Sequence, residues 1–445
     1  MEELARKKIL VLGLGISGLS AADFCAAAGA DVVAADERLP EQIAGLDELD
    51  PSIERAVGRP FPDASDFDLV VPSPGVPAER YREGARRVWG DIELAYRALN
   101  VPIIAVTGTN GKSTTVTLIE AMLRAAGARA KAAGNLGVPA LALVGEPLDF
   151  AVLEVSSFQL ETIEAFRPAV AVILNITPDH LDRHGSFAAY AQAKARLLET
   201  QGPGDQAVLN VDDPTVAALA DRVRGDVVPI RTTGPLERGV FFDSGSVVLC
   251  REGDRVDRIS LAGMQLEGRH NRENVVAAIA AVAAAGVEIQ RAALALATFC
   301  GLPHRSELVA EIDGVRYVND SKATNPGAAL GSLASCATRV VWIAGGRDKD
   351  LDFGPLADVA VRRAHAAVLI GEAAAKIEAA LCHRIAVHRV GDLDAAVALA
   401  CELAKPGETV LLAPACASQD QFRSYEERGE RFRAAVGALG RRYDT

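Results

Sequence analysis

No stretch of this 445-residue chain reaches the ~20 consecutive apolar residues that a membrane-spanning helix needs, although 49% of its residues are hydrophobic. Its start, MEELARKKILVLGLG, lacks the apolar core and small-residue cleavage site of a secretory signal, so a cytoplasmic protein is expected, with no membrane partner. C-x-x-C pairs are absent too. The seven cysteines are scattered and odd in number, which argues against a disulfide framework or a zinc site and fits a reducing compartment. Basic residues are outnumbered, 47 Lys and Arg against 59 Asp and Glu, and the net charge of −12 disfavours a nucleic-acid partner. Small anions can still bind where backbone N–H groups and a few bases oppose that field. No fixed period recurs, so the alanine-rich helical runs do not make a repeat array.

What is present is one pattern used three times: apolar runs, turn residues, then Ala/Leu-rich helical segments. Residues 1–96 carry the strand-like ILVLG, DVVAAD and FDLVVPSPG, with a helix from Gly18 to Ala28. Residues 97–301 carry IIAVTGTNGKSTT, FAVLEVSS, AVAVILNIT and QAVLNVDD. A turn-rich portion near 228–260 reads as antiparallel strands, and a helix over Asn274–Ala285 follows it. Residues 302–445 carry GVRYVND, RVVWIAGG, AAVLIG and ETVLLAP. Strands alternating with helices predict three α/β domains with parallel sheets covered on both faces, joined by hinges.

The sharpest local signal is Gly108-Thr109-Asn110-Gly111-Lys112-Ser113-Thr114, after a strand and before a helix with apolar Val116, Ile119 and Leu123. Glycines let backbone N–H groups approach phosphate oxygens, the helix N-terminus adds partial positive charge, Lys112 adds a full one, and Ser113 can ligate Mg²⁺. The usual spacing would place a glycine at Val106, so the loop is a variant. Glu154, at the end of a strand and followed by Ser156 and Ser157, stands where a Mg²⁺ ligand is expected. His180, in NITPDHLDR, occupies a polar loop at another strand's end, and Lys194 follows on a helix. Gly13-x-Gly15-x-x-Gly18 with Asp36 fits any pyrophosphate on a helix N-terminus, so it does not by itself mean NAD. Asn319–Pro326, Gly345–Lys349 and Pro414–Ser418 end three further strands, where α/β domains place ligands.

Together these residues resemble the Mur ligase family of bacterial cell-wall synthesis over essentially the whole chain. GTNGKST is similar to the wider family, which includes folylpolyglutamate synthase. GLGISGLS, EVSSFQLE, TPDHLDRH, LPHRSE, NDSKATNP and PACASQDQF resemble the branch that adds D-glutamate. The resemblance implies a Rossmann-like N-terminal domain, a P-loop-type central ATPase domain with a parallel sheet plus a small antiparallel sheet, and a Rossmann-like C-terminal domain. It implies a monomer whose substrates are UDP-N-acetylmuramoyl-L-alanine, ATP and D-glutamate, and which joins acid to amine through an acyl phosphate.

By the same resemblance, Gly108 to Thr114 hold the phosphates. Ser113 and Glu154 serve a first Mg²⁺, and His180 with a carbamylated Lys194 serves a second. Asn271, Asn274, Arg305 and Asp320 surround ATP. Ile16, Ser17, Asp36, Arg38 and Gly75 surround the uridine diphosphate, and Asn135 with His180 contacts the muramyl part. Thr324, Lys349, Ser418 and Tyr425 form the D-glutamate pocket, Tyr425 standing where relatives have Phe. Three other readings make different predictions: a relative adding another amino acid or extending folate, an NAD-linked oxidoreductase with no use for Lys112, and a P-loop binding protein without turnover.

Overall fold

The computed structural model describes residues 3–251, 254–264, 268–299, 301–348 and 351–443. They form two compact units, one of residues up to 264 together with 273–299, the other of residues 268–272 together with those from 301 onward.

The first unit holds two sheets. Strands β1 (Lys8–Leu12), β2 (Asp31–Asp36), β3 (Glu54–Val57) and β4 (Leu69–Pro72) line up as β3-β2-β1-β4, every pair parallel. Helix Ile16–Ala27 leaves β1 through Gly13, at φ 79°, and Gly18 lies so close that a side chain there would meet the Gly13 carbonyl. Only glycine satisfies both positions. Helix Asp91–Ala98 then anchors the passage to the second sheet: the buried Glu93 carboxylate accepts the backbone N–H groups of Glu164, Ala165 and Phe166 and the Arg97 Nε–H. A carboxylate satisfied by several donors tolerates burial that an unpaired one would not.

The second sheet comprises β5 (Ile103–Thr107), β6 (Ala130–Gly134), β7 (Phe150–Glu154), β8 (Val170–Ile173), β9 (Gln206–Asn210), β10 (Asp226–Arg231), β11 (Gly239–Asp243), β12 (Ser246–Arg251) and β13 (Asp254–Ser260). Their order is β13-β12-β11-β10-β9-β8-β5-β7-β6. The expected antiparallel strands are one end of this same sheet, and they begin later than expected: β10 and β11 pair in parallel, and only β11–β12–β13 alternate. Helix Arg269–Ala284 begins before the expected Asn274, and residues 275–282 are fully buried. Its run of Ala and Val is apolar all round, as a helix covered on every side must be.

In the second unit β14 (Glu307–Ile312), β15 (Val315–Asn319), β16 (Val340–Gly345), β17 (Ala364–Ile370), β18 (Ala386–Arg389) and β19 (Thr409–Leu412) order as β14-β15-β19-β16-β17-β18. Only the β14/β15 hairpin is antiparallel. This puts the carboxyl ends of β15, β19 and β16 side by side, and with them the loops Asp320–Asn325, Pro414–Ser418 and Gly346–Asp348. No helix among the described residues is long and apolar enough to cross a membrane.

Candidate active site

Register builds the phosphate loop. β5 lies between β8 and β7, and Val106 pairs with both Val172 and Glu154. Three strand ends thus open around Gly108–Gly111. Gly108 (φ 156°) and Gly111 (φ 85°) hold conformations that favour glycine, and a side chain on Gly111 would collide with the Asn274 amide. On one flank Asn175 clamps the loop: its Oδ1 accepts the Asn110 N–H at 2.8 Å and its Nδ2 donates to the Asn110 carbonyl at 3.1 Å. Helix Lys112–Ala125 starts at the loop with no acidic residue in its first turn, so nothing there cancels the positive end of its dipole.

Two lysines and one carboxylate meet at this loop. Lys112 Nζ donates to the carbonyls of Gly108 and Thr109, both at 2.8 Å. Lys194 Nζ reaches the same Gly108 carbonyl at 2.8 Å from the helix Phe187–Ala195. Sequence position alone allowed Lys194 to be a solvated helix lysine; it is instead 1% exposed. Burial pushes its ammonium well below the ordinary 10.5, Lys112 pushes it further, and Asp179 and Glu154 pull the other way. Glu154 is 2% exposed; its Oε2 accepts the Ser113 hydroxyl at 2.5 Å and its Oε1 the Asn135 amide at 2.8 Å. Thr109 joins Tyr190 and Thr177, which fixes the far side of the loop. His180, at φ 52°, has its ring edge-on to Phe158 at 5.0 Å and its Nε2 3.8 Å from Asp179.

The oxygens of Ser113 and Glu154 suit a hard cation such as Mg²⁺, which takes few protein ligands and shares phosphate oxygens and water. Among the described residues, no group of three or more His, Cys, Asp or Glu side chains is gathered as a metal cluster. Ser156 and Ser157 are engaged away from Glu154: Ser156 caps the helix Ser157–Leu160, and Ser157 Oγ lies 3.0 Å from His184 Nε2.

A cleft of ≈ 630 Å³ opens beside the loop, and its lining includes Ile16, Ser17, Asp36, Arg38, Gly75 and Asn135. Asp36 accepts Leu14 N–H and Arg38 Nη2–H on Oδ2, and Arg38 N–H and Nε–H on Oδ1. Burial raises this carboxyl's pKa, but the Arg38 side chain and the two backbone donors outweigh it and bring it to about 2. With two donors on each oxygen, Asp36 acts by fixing Arg38 and the turn at Leu14. Arg80, paired with Glu37 at 2.5 Å and lying over the Phe61 ring, forms a wall of the cleft that the sequence did not flag.

In the second unit Asp320 is buried, which raises its pKa, and it accepts the Ser332 hydroxyl; His270 and Arg305 lie near enough to oppose that rise. Thr324 N–H binds the Lys322 carbonyl at 2.7 Å, and Lys322 Nζ lies 3.7 Å over the Tyr425 ring. Ser418 is 1% exposed, and its hydroxyl has no hydrogen-bond partner among the described residues. Asn271 and Asn274 are both buried. Lys349 lies outside the described residues.

Similarity settles the family. The Mur ligase MurD-like N-terminal domain matches residues 7–82, the Mur ligase middle domain 106–282, and the Mur ligase glutamate ligase domain 304–416. A UDP-N-acetylmuramoylalanine--D-glutamate ligase of Geobacter metallireducens is 46% identical, over 98% of this chain and 99% of its own length. One from Pelotomaculum thermopropionicum is also 46% identical, over 99% of each. The chain belongs to the Mur ligase family.

Mur ligases are ATP-dependent, amide-bond-forming enzymes that use Mg²⁺. The fold is shared more widely still: the UDP-N-acetylmuramate-alanine ligase of Thermotoga maritima superposes with a TM-score of 0.62 over 97% of this chain and all of its own, at 19% identity. Of the residues expected from the sequence, Gly108–Thr114, Glu154, Lys194, Asn135 and Asn274 lie together at the Gly108–Gly111 loop, and Ile16, Ser17, Asp36, Arg38, Gly75 and Asn135 share one cleft. Tyr190 and Arg428 were not expected from the sequence, and Asn175 and Asp179 stood in NITPDHLDR without a role of their own. Tyr190 had a signal, standing four residues before Lys194 and so on the same helix face. Arg428 had none, because its charged helix reads as solvent-facing.

Proposed function

We propose that the chain adds D-glutamate to UDP-N-acetylmuramoyl-L-alanine at the expense of ATP, in cytoplasmic peptidoglycan precursor synthesis and as a monomer, with working domains 1–96, 97–301 and 302–445. One observation carries this reading: Asn135 belongs to two sites at once, lining the ≈ 630 Å³ cleft and hydrogen-bonding Glu154 at the phosphate loop. A nucleotide-linked acid lying in the cleft therefore ends where a terminal phosphoryl group would be held.

A carboxylate oxygen attacks the γ-phosphorus, the bond to the β-phosphate oxygen breaks, and ADP leaves. The amine nitrogen of D-glutamate then attacks the acyl carbon, phosphate departs with the C–O bond's electrons, and the nitrogen loses its extra proton. The protein's work is positioning and charge neutralisation. Lys112 and the helix N-terminus draw charge from the phosphates. Ser113 and Glu154 would hold one Mg²⁺, and His180 with Lys194 a second; a cation bound there would supply charge neutralisation to the phosphoryl oxygens. Lys194 would reach that role as a carbamate: its neutral Nζ attacks CO₂, an N–C bond forms as one C=O π pair moves onto oxygen, and the nitrogen loses a proton, which leaves an anionic oxygen ligand. Its burial beside Lys112 supports this by favouring the neutral amine. Asn271, Asn274, Arg305 and Asp320 hold the rest of ATP. Thr324, Lys349, Ser418 and Tyr425 receive D-glutamate, whose two carboxylates call for donors and cations.

An oxidoreductase reading gains no support, since Asp36 has two donors on each oxygen and none to spare for a ribose diol. The deciding experiment supplies UDP-N-acetylmuramoyl-L-alanine and ATP with a panel of amino acids and measures phosphate release. Release should depend on D-glutamate; release indifferent to it ends this reading.

A further inference from the structure

Arg428 is fully buried, on the first turns of helix Tyr425–Tyr443. Its guanidinium makes five hydrogen bonds, all to neutral oxygens: Nε to Ser321 Oγ at 3.0 Å, Nη2 to the carbonyls of Ser321 (2.9 Å) and Cys416 (3.2 Å), and Nη1 to those of Cys416 (3.2 Å) and Ala417 (3.3 Å). It also underlies a third loop, because a side chain on Gly346 would come within 3.1 Å of Nη1. The three loops are those at the adjacent ends of β15, β19 and β16. Among the described residues no carboxylate is in ion-pair range of this guanidinium, although Asp420 is near enough to favour its charge. Burial lowers its pKa only to about 10, so it stays cationic at neutral pH.

Burying an unpaired charge costs free energy that five carbonyl and hydroxyl contacts only partly offset. A purely structural bolt between loops could be neutral. Ser418, the next residue after Ala417, is 1% exposed and its hydroxyl has no partner among the described residues, a polar group left for something not supplied by the fold. A buried cation held only by neutral oxygens, and an unused buried hydroxyl next in sequence to one of the carbonyls that hold it, together suit an anionic ligand.

We infer that Arg428 is a positioning residue for the incoming amino acid, holding the loops of Asp320–Asn325, Gly346–Asp348 and Pro414–Ser418 together and lending a positive field to a ligand with more than one carboxylate. This rests on the D-glutamate reading above. The test measures KM for D-glutamate, for the UDP-linked substrate and for ATP in wild type, Arg428→Lys, Arg428→Met and Ser321→Ala, with thermal melts alongside. Wild type that ignores D-glutamate refutes the function itself, independently of Arg428. Given wild-type activity, Arg428→Lys keeps a cation but not the planar fork and should raise KM for D-glutamate about tenfold, with the other two KM values within about twofold. Arg428→Met should raise it further, and Ser321→Ala, which removes one contact, less. Equal changes in all three KM values that follow the loss of melting temperature would make Arg428 structural only and overturn the inference, as would an unchanged KM for D-glutamate in a folded Arg428→Lys. Should Arg428→Met not fold, the Lys and Ser321→Ala variants still decide the matter.

Discussion

Lys194 and Arg428 are two buried basic side chains, one in either unit, each held by backbone carbonyl oxygen and, among the described residues, by no carboxylate in ion-pair range. Their chemistry separates them. An ammonium carries its charge on one atom and gives up its proton when desolvated, whereas a guanidinium spreads the charge and keeps it. The same degree of burial therefore pushes the Lys194 ammonium towards the neutral amine, whereas Arg428 keeps its charge at neutral pH. Where a site needs a group that can be modified, lysine serves. Where it needs a fixed field, arginine serves.

The first and largest effect should come from Lys112, the loop lysine held on the Gly108 and Thr109 carbonyls. Lys112→Ala is expected to lower turnover at least ~100-fold, since removing one charged donor from a phosphoryl-transfer site costs ~3 kcal/mol or more. Phosphate-release assays check this, and retention of more than about a tenth of the rate would contradict it. Next, Lys194→Arg should be as inactive as Lys194→Ala, because a guanidinium cannot be deprotonated and carbamylated, and only the alanine variant leaves room for partial rescue by acetate. Full wild-type activity in CO₂-free buffer, with an unmodified intact mass, would remove the distinction between the two cations. A smaller effect is expected for Ser113→Ala: a rise of about tenfold in the Mg²⁺ concentration for half-maximal rate, from loss of one oxygen ligand. Glu154 would still provide a ligand, so KM for D-glutamate should not move.

The smallest effect concerns stability, at a third charged site that lies in a cleft. Asp36 titrates at about 2 in the folded protein against the ordinary 3.8. Its stabilising contribution is present in full above pH 3.8 and is lost as pH falls towards 2. With its Arg38 partner half-exposed and screened by solvent, Asp36→Asn should therefore cost about 1 kcal/mol at neutral pH and progressively less under acid. Denaturant titrations at several pH values would show this, and a loss independent of pH would assign the effect to packing.

Much of the fold was legible. The runs behind β1, β2, β4, β5, β7, β8, β9, β15, β16, β17 and β19 are rich in Val, Ile and Leu, as strands covered on both faces must be. β3 (ERAV), β6 (AKAAG) and β18 (AVHR) are short and have no such run; AKAAG reads as helical. They are strands because an open sheet edge offers them backbone partners, which a local propensity cannot see. β10 looked antiparallel because its surroundings are polar and turn-rich, but its direction is set by how the chain returns to β9.

By itself the sequence determined the local chemistry: a glycine-rich loop between strand and helix, a carboxylate at a strand end, and polar loops after apolar strands. Those features depend on residues close together in the chain. Only the tertiary structure decided that Lys194 is buried on Gly108, that Asn135 joins the cleft to Glu154, and that Arg428 sits beneath three loops. Each joins residues far apart in sequence, and the burial that lowers the Lys194 pKa arises only once the strands have packed.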